Sequence, residues 1–315
     1  MPRYVAEGLD LSRMPKPRAV RSLDYETLLE RRRVRLKAEL AARDIPFDAA
    51  RIDSEPAMAL QQVDAYRELL GLAQVNAGVL ATMLAWAVGT DLDNCALRLP
   101  LLRMDGESDE RFRWRCLLIP ESWGAGKLAG YLLAALTAHP DVADAGVWVD
   151  RTDPRQPIIR IAPIVSVASG WVDASDPAVP IKRLRPASDA DGTPSDDVLE
   201  AVRILANRDD VAAASDVISV RPPRILPYQI SLVTEHLRGP DPAALRTLSA
   251  EGCAAMADAR RSPGRDVPLA AIIAAGQVPA AENVQLLSPT APILASEGDL
   301  AVCTAIDVQS LVVNG

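Results

Sequence analysis

Residues 53–88 constrain the fold more than any other stretch. Asp53 and Ser54 offer a helix cap, Glu55 suits the positive end of the macrodipole, and Pro56 is tolerated in a first turn. From there to about Val88 nothing breaks a helix, which predicts a rod of roughly 45 Å. Val63, Tyr66, Leu70, Ala73, Ala77, Leu80 and Leu84 recur in alternating steps of three and four. A second seam, Ala65, Leu69, Leu72, Asn76, Val79, Met83 and Trp86, runs beside the first. One apolar stripe is enough for a surface helix. Two seams imply neighbours on two sides, so this stretch is expected to be a bundle helix. Gly71 and Gly78 each cost such a helix about 1 kcal/mol relative to Ala, unless a partner backbone approaches there.

The flanking segments extend this picture. Residues 1–20 read as an extended arm, because three prolines and mixed charges leave no periodic apolar face. A first helix is expected from Ser22 or Asp24, with Leu28 and Leu36 on its apolar side. Its Arg31-Arg32-Arg33 run reads either as a solvated face or as a stripe pairing with an acidic partner. Gly89 to Asp93 reads as a turn into a short helix, with Gly89, Asp91 and Leu92 as a candidate hinge.

Beyond residue 104 the pattern mixes helices and strands. Helices are expected through Arg111–Arg115, Lys127–Ala138, Ser195–Ala206, Pro242–Ala259 and Leu269–Ala275. Strands are expected near Val142–Val149, Ile158–Val167, Val217–Arg221, Ile225–His236, Asn283–Leu287 and Leu300–Ile306. Gly170–Thr193, proline-punctuated and carrying Asp189-Ala190-Asp191-Gly192, reads as a long loop or hairpin tip. Leu128–Val149 and Leu269–Leu287 share a helix–turn–strand order, a weak internal repeat. The fold class is therefore α+β: a helical N-terminal region followed by two small similar α+β modules. The expected parts are the arm 1–20, a helical region 21–120, a first module 121–221 with its loop at 170–193, and a second module 222–315.

The sequence carries no recognisable catalytic or metal-binding motif. Gly124-Ala125-Gly126-Lys127 lacks the spacing and the hydroxyl of a phosphate loop. The acidic turn at Asp189–Gly192 lacks a calcium loop's first Asp and closing Glu. His139 and His236, the two histidines, sit in no metal or triad pattern. Cys95, Cys116, Cys253 and Cys303 are widely spaced and read as buried free thiols. No catalytic residue, metal or cofactor is expected. A net charge of −8 disfavours a phosphate-tracking surface, so no direct nucleic-acid contact is expected. The longest apolar run, Val79–Val88, is too short for a membrane span, and a soluble protein made in the cytoplasm is expected.

Several blocks, taken in order, carry a resemblance. LDYETLLERRRVRL, SEPAMALQQVDAYRELL, VNAGVLATMLAWAVGTDLDN, ESDERFRWR and SWGAGKLAGYLLAAL are followed by VADAGVWV, GRDVPLAAIIAA and AENVQLLSP. In this succession the chain resembles the J-like baseplate proteins of temperate phages with contractile tails. Asp173–Pro194 is longer than that family usually needs. The resemblance implies a structural subunit of the baseplate wedge in a phage or tailocin, assembled in the host cytoplasm. Implied partners are a second copy, a smaller wedge tail protein, neighbouring wedges and central hub or sheath-initiating proteins. Val63, Tyr66, Leu70, Leu80 and Leu84, with Leu28 and Leu36, are then expected at the bundle interface. The alternatives are an autonomous cytoplasmic adaptor, whose seams would be hidden internally, and a hydrolase with dispersed carboxylates.

Overall fold

The computed structural model describes residues 15–45, 56–168 and 170–313. The expected cap at Asp53-Ser54 and most of the N-terminal arm lie outside these. The chain forms two compact units, meeting in sequence at Arg103 and Met104.

The first unit is helical: α1 (Tyr25–Ala41), α2 (Pro56–Ala81) and α3 (Gly89–Ala96). Asp24 caps α1, its carboxylate accepting from the Thr27 amide at 3.3 Å. α1 and α2 form an antiparallel hairpin, since Arg32 meets Glu68 at 2.8 Å while the earlier Arg21 meets the later Asn76. α2 is shorter than expected and ends at Ala81. Past that point the backbone turns: Thr82 Oγ1 donates to the Val79 carbonyl, and the Met83 amide donates to Leu80. Cys95 Sγ takes the Ala81 carbonyl, which would otherwise belong to the next helical turn. Leu84 therefore lies in a turn and not on the rod.

The second unit carries α4 (Asp109–Ser122), α5 (Leu128–Ala138), β1 (Val142–Asp150), β2 (Ile158–Val165), β3 (Trp171–Asp173) and β4 (Ile181–Pro186). It continues with α6 (Asp196–Ala206), β5 (Val217–Val220), β6 (Arg224–His236), α7 (Pro242–Ala259), α8 (Leu269–Gly276), β7 (Asn283–Ser288) and β8 (Asp299–Val312). The strands make two sheets, β1-β2-β5 and β3-β4-β8-β6-β7. Leu118, Tyr131, Leu136, Val147, Ile161 and Val202 fill the core of the first. Ile230, Leu232, Cys253, Ile272 and Ile306 fill that of the second. The α+β class is as expected.

The weak repeat has a topological counterpart. In the first sheet an edge strand, β1, lies antiparallel to β2, and β2 lies parallel to β5. In the second, β7 lies antiparallel to β6, and β6 lies parallel to β8. The edge strand follows a short apolar helix in both cases, α5 or α8. The chain enters the edge strand at a different point of the sequence, so the two units of the repeat are related by a permuted order.

Gly170–Thr193 is not an open loop. β3 and β4 form an antiparallel hairpin, and β4 joins β8 in the second sheet, placing Leu184 in its core. The mixed apolar and cationic run Ile181–Arg185 hid this strand behind prolines, which here sit at its flanks. The Pro222-Pro223 pair marks where the chain leaves the first sheet and enters the second.

Candidate partner interface

α2 packs one seam and exposes the other. Met58, Ala65 and Asn76 are buried on the α1 side, with Leu69, Leu72 and Val79 half-buried beside them. Asn76 locks this face, its Oδ1 accepting from the Arg21 amide at 2.9 Å and its Nδ2 donating to the Arg21 carbonyl at 2.8 Å. The pair satisfies a polar group inside an apolar seam, which would otherwise cost about 1–3 kcal/mol. One of the two neighbours implied by the double seam is thus the chain's own α1.

The other seam has no cover among the described residues. Val63, Tyr66 and Leu70 keep 51%, 55% and 47% of their surface exposed. Leu80 and Leu84 are half-buried. On α1, Leu28 is buried and Leu36 is half-buried. The exposed strip is therefore carried by Val63, Tyr66 and Leu70, bordered by the small Ala73 and Ala77. Sequence periodicity showed both seams but missed two further exposed residues of the same helix, Leu60 at 67% and Val75 at 60%. These interrupt the helical period and so carried no signal.

The cationic run on α1 is largely used within the chain. Arg31 and Arg32 both bond Glu68 of α2, and Arg32 also lies 3.6 Å from Asp64. Arg33 pairs with Glu30, one turn earlier, while Glu39 accepts from Arg43. These arginines hold the Glu68 carboxyl below its ordinary range, first through the Arg32 hydrogen bond.

Gly89, Asp91 and Leu92 fall at the start of α3. Gly89 has φ +53°, a left-handed value that favours glycine. Its carbonyl accepts from Arg103 at 3.4 Å, and Arg103 also bonds Asp93 at 2.6 Å. Leu92 is fully buried and Asp91 is exposed.

In the second unit the polar clusters serve the fold. Glu107 is buried and accepts from Arg115 at 2.5 Å, Arg111 at 3.0 Å and the Met104 amide at 3.0 Å. Arg111 also reaches the Leu136, His139 and Val142 carbonyls. Gly126, in the stretch that resembles a phosphate loop, is pressed against Ala213 and Asp216, so its backbone is already occupied. A surface cavity of about 450 Å³ between the β3–β4 hairpin and α7 is lined by Asp173, Asp176, Lys182 and Arg246. Lys182 and Ser175 hold the Asp173 carboxyl down to about 2, the opposite of what a general acid needs. Among the described residues no group of His, Cys, Asp and Glu is arranged to hold a metal ion. No described helix is long and apolar enough to cross a membrane.

Residues 53–104, the segment that holds α2 and α3, match the Baseplate J-like N-terminal domain family. The chain is 29% identical to Baseplate protein J of Escherichia phage P2, over 94% of this chain and 95% of that protein. The resemblance to J-like baseplate proteins is borne out. The homology supports the coarse role of a baseplate structural subunit.

Proposed function

We propose that this chain is the larger subunit of a contractile-tail baseplate wedge, and that the exposed seam of α2 binds a smaller tail protein within a helical bundle. One observation carries the reading. The family-matched segment contains a helix that packs one apolar seam internally and leaves Val63, Tyr66 and Leu70 half-exposed. An autonomous adaptor would hide both seams. A hydrolase would keep a carboxylate raised in a cavity, whereas Asp173 is lowered.

In this reading two copies join one smaller tail protein, Leu36, Leu80 and Leu84 border the contact, and Leu28 stiffens the hairpin behind it. The two-sheet unit joins wedges into a ring around the hub and sheath-initiating proteins, in a virion or tailocin baseplate. The role is structural rather than catalytic. Gly89 with its φ of +53° is the hinge we propose for triggering. A Gly89→Ala chain that triggers at the parent rate would remove the hinge.

The test is the mass, by light scattering after size exclusion, of the chain co-expressed with the small tail protein encoded beside it. A complex of two copies and one partner is expected, and Leu70→Asp should abolish it. A chain that ignores the partner, or a Leu70→Asp complex of parent mass, would overturn the reading.

A further inference from the structure

The two sheets of the second unit share a motif but not its surroundings. β7-β6-β8 repeats the pattern of β1-β2-β5, with β8 in the place of β5. The outer edge of β8 carries β4, antiparallel to it, and β3 beyond. Among the described residues the outer edge of β5 carries no strand.

The hydrogen-bonding groups left open there can be named. The Arg221 amide donates to the Ile161 carbonyl at 3.0 Å, so Ser219 and Val217, which alternate with it, also face β2. Ile218 and Val220 therefore turn their amides and carbonyls outward, and no described residue bonds them. Both side chains pack with the first core, and Val220 is only 7% exposed. Backbone groups on buried residues are nearly always paired. Apart from its shortness, this edge lacks the devices that usually close one: residues 217–220 hold no proline or charge, and no bulge interrupts their pairing with β2.

The charge beside the edge has one sign. Arg160 pairs with Asp150 at 2.8 Å and Arg224 with Asp299 at 2.7 Å. Arg221 is exposed and has no carboxylate partner among the described residues.

We propose that β5 is a docking edge, which takes an extended segment of another protein as a fourth strand of the first sheet, antiparallel to β5 and with a carboxylate opposite Arg221. The direction is that of β4 on β8. The segment's first residue then stands at Arg221 and its last beside Val217, which is 38% exposed. Positions opposite Val220 and Ile218 share the core face and are apolar, while the one opposite Ser219 is small and polar. Main-chain bonds supply affinity, and the carboxylate supplies choice of partner. A second copy's β5 would set Val217 opposite Arg221 and bring no carboxylate. This contact is independent of the exposed seam of α2.

Amide exchange on the full-length chain tests it. In the free chain the Ile218 and Val220 amides should exchange at least roughly tenfold faster than those of Ser219 and Arg221, which β2 holds. A short blocked peptide of alternating valine and threonine, led by glutamate, should slow Ile218 and Val220. Its lysine-led counterpart should bind roughly five- to tenfold more weakly, and Arg221→Glu, at an exposed site, should reverse that preference. In purified baseplates both amides should be protected. Slow exchange in the dilute free chain, protection that grows with chain concentration, or equal effects of the two peptides would each overturn the proposal. So would baseplates in which the two amides exchange as in the free chain. Protection in a chain that ignores the small tail protein leaves this edge standing and sinks the α2 reading; small-protein binding with an unprotected edge does the reverse.

Discussion

The same substitution placed in two helices should shift stability in opposite directions. Gly252 lies in α7, and a Cβ built there would sit 2.3 Å from the Ala275 carbonyl oxygen of α8. That oxygen is backbone and cannot rotate away, so Gly252→Ala must push α7 and α8 apart by roughly 1 Å, a gap that forfeits a quarter to a half of each contact along the seam. Ala250, Cys253, Ala254 and Ile272 are buried along that contact. Overpacking of this kind costs about 1–3 kcal/mol, more where backbone is involved. Against it stands about 1 kcal/mol gained from helix propensity. The clash wins, for a net loss of up to about 2 kcal/mol, or as much as roughly 4–8 °C in melting temperature for a unit of this size. Gly71→Ala meets open space and should realise the propensity gain alone, raising the melting temperature of the smaller, helical unit by roughly 4–8 °C. Both are measured by thermal unfolding at protein concentrations where the chain is monomeric. A Gly252→Ala chain as stable as the parent would refute the close approach of α7 and α8.

Leu70 keeps 47% of its surface in the isolated chain. Covering the remainder removes about 85 Å² from water, worth about 2 kcal/mol of binding, and an aspartate there adds the cost of a buried carboxylate. Leu70→Asp should therefore lose the small-protein complex while its circular dichroism and melting temperature stay at parent values. Glu107→Ala takes from Arg115 its 2.5 Å carboxylate partner in a site where Arg115 is 1% exposed, and should cost about 3–5 kcal/mol. Glu110→Gln, on an exposed neighbour, should move the melting temperature within error. Burial pushes the Cys253 and Cys303 thiols up to about 12. Native protein should then expose Cys95 first to a thiol reagent, and Cys253 and Cys303 only on unfolding. Asp150 is held down to about 2, chiefly by hydrogen bonds from Thr152, with Arg160 adding a further bond. A depressed carboxyl stabilises the fold above its unfolded value and loses that contribution as pH falls toward 2, so Asp150→Asn should flatten acid unfolding in that window.

Much of this architecture was legible because local chemistry and tertiary placement agree. Ser108 and Asp24 cap their helices where capping chemistry puts them, with side chains accepting from Arg111 and Thr27. The strands β1, β2, β6 and β7 alternate or run apolar as their burial requires. What stayed hidden depends on partners far away in sequence. β4 is a strand because β8, more than 120 residues on, offers it a ladder, Leu184 standing opposite Ile306. α2 stops at Ala81, where the Cys95 thiol, from the next helix, takes the carbonyl left free.

Periodicity alone does not decide which seam of α2 faces inward, since the two are about equally apolar and share one period. The difference that decides between them is the side-chain amide of Asn76. An asparagine in an apolar seam must bond something fixed, and a side-chain amide can satisfy both its donor and its acceptor on one backbone unit. α2 finds that unit at Arg21, just before α1 begins. The seam without an Asn, Val63–Tyr66–Leu70, has no such demand and is free to meet a surface from another chain. Asn76→Leu separates the two roles. It should release Arg21's amide and carbonyl from their side-chain partner and loosen the start of α1, seen as faster amide exchange at residues 21–28, while small-protein binding persists. Loss of binding with unchanged exchange would mean that the polar position marks the partner face instead.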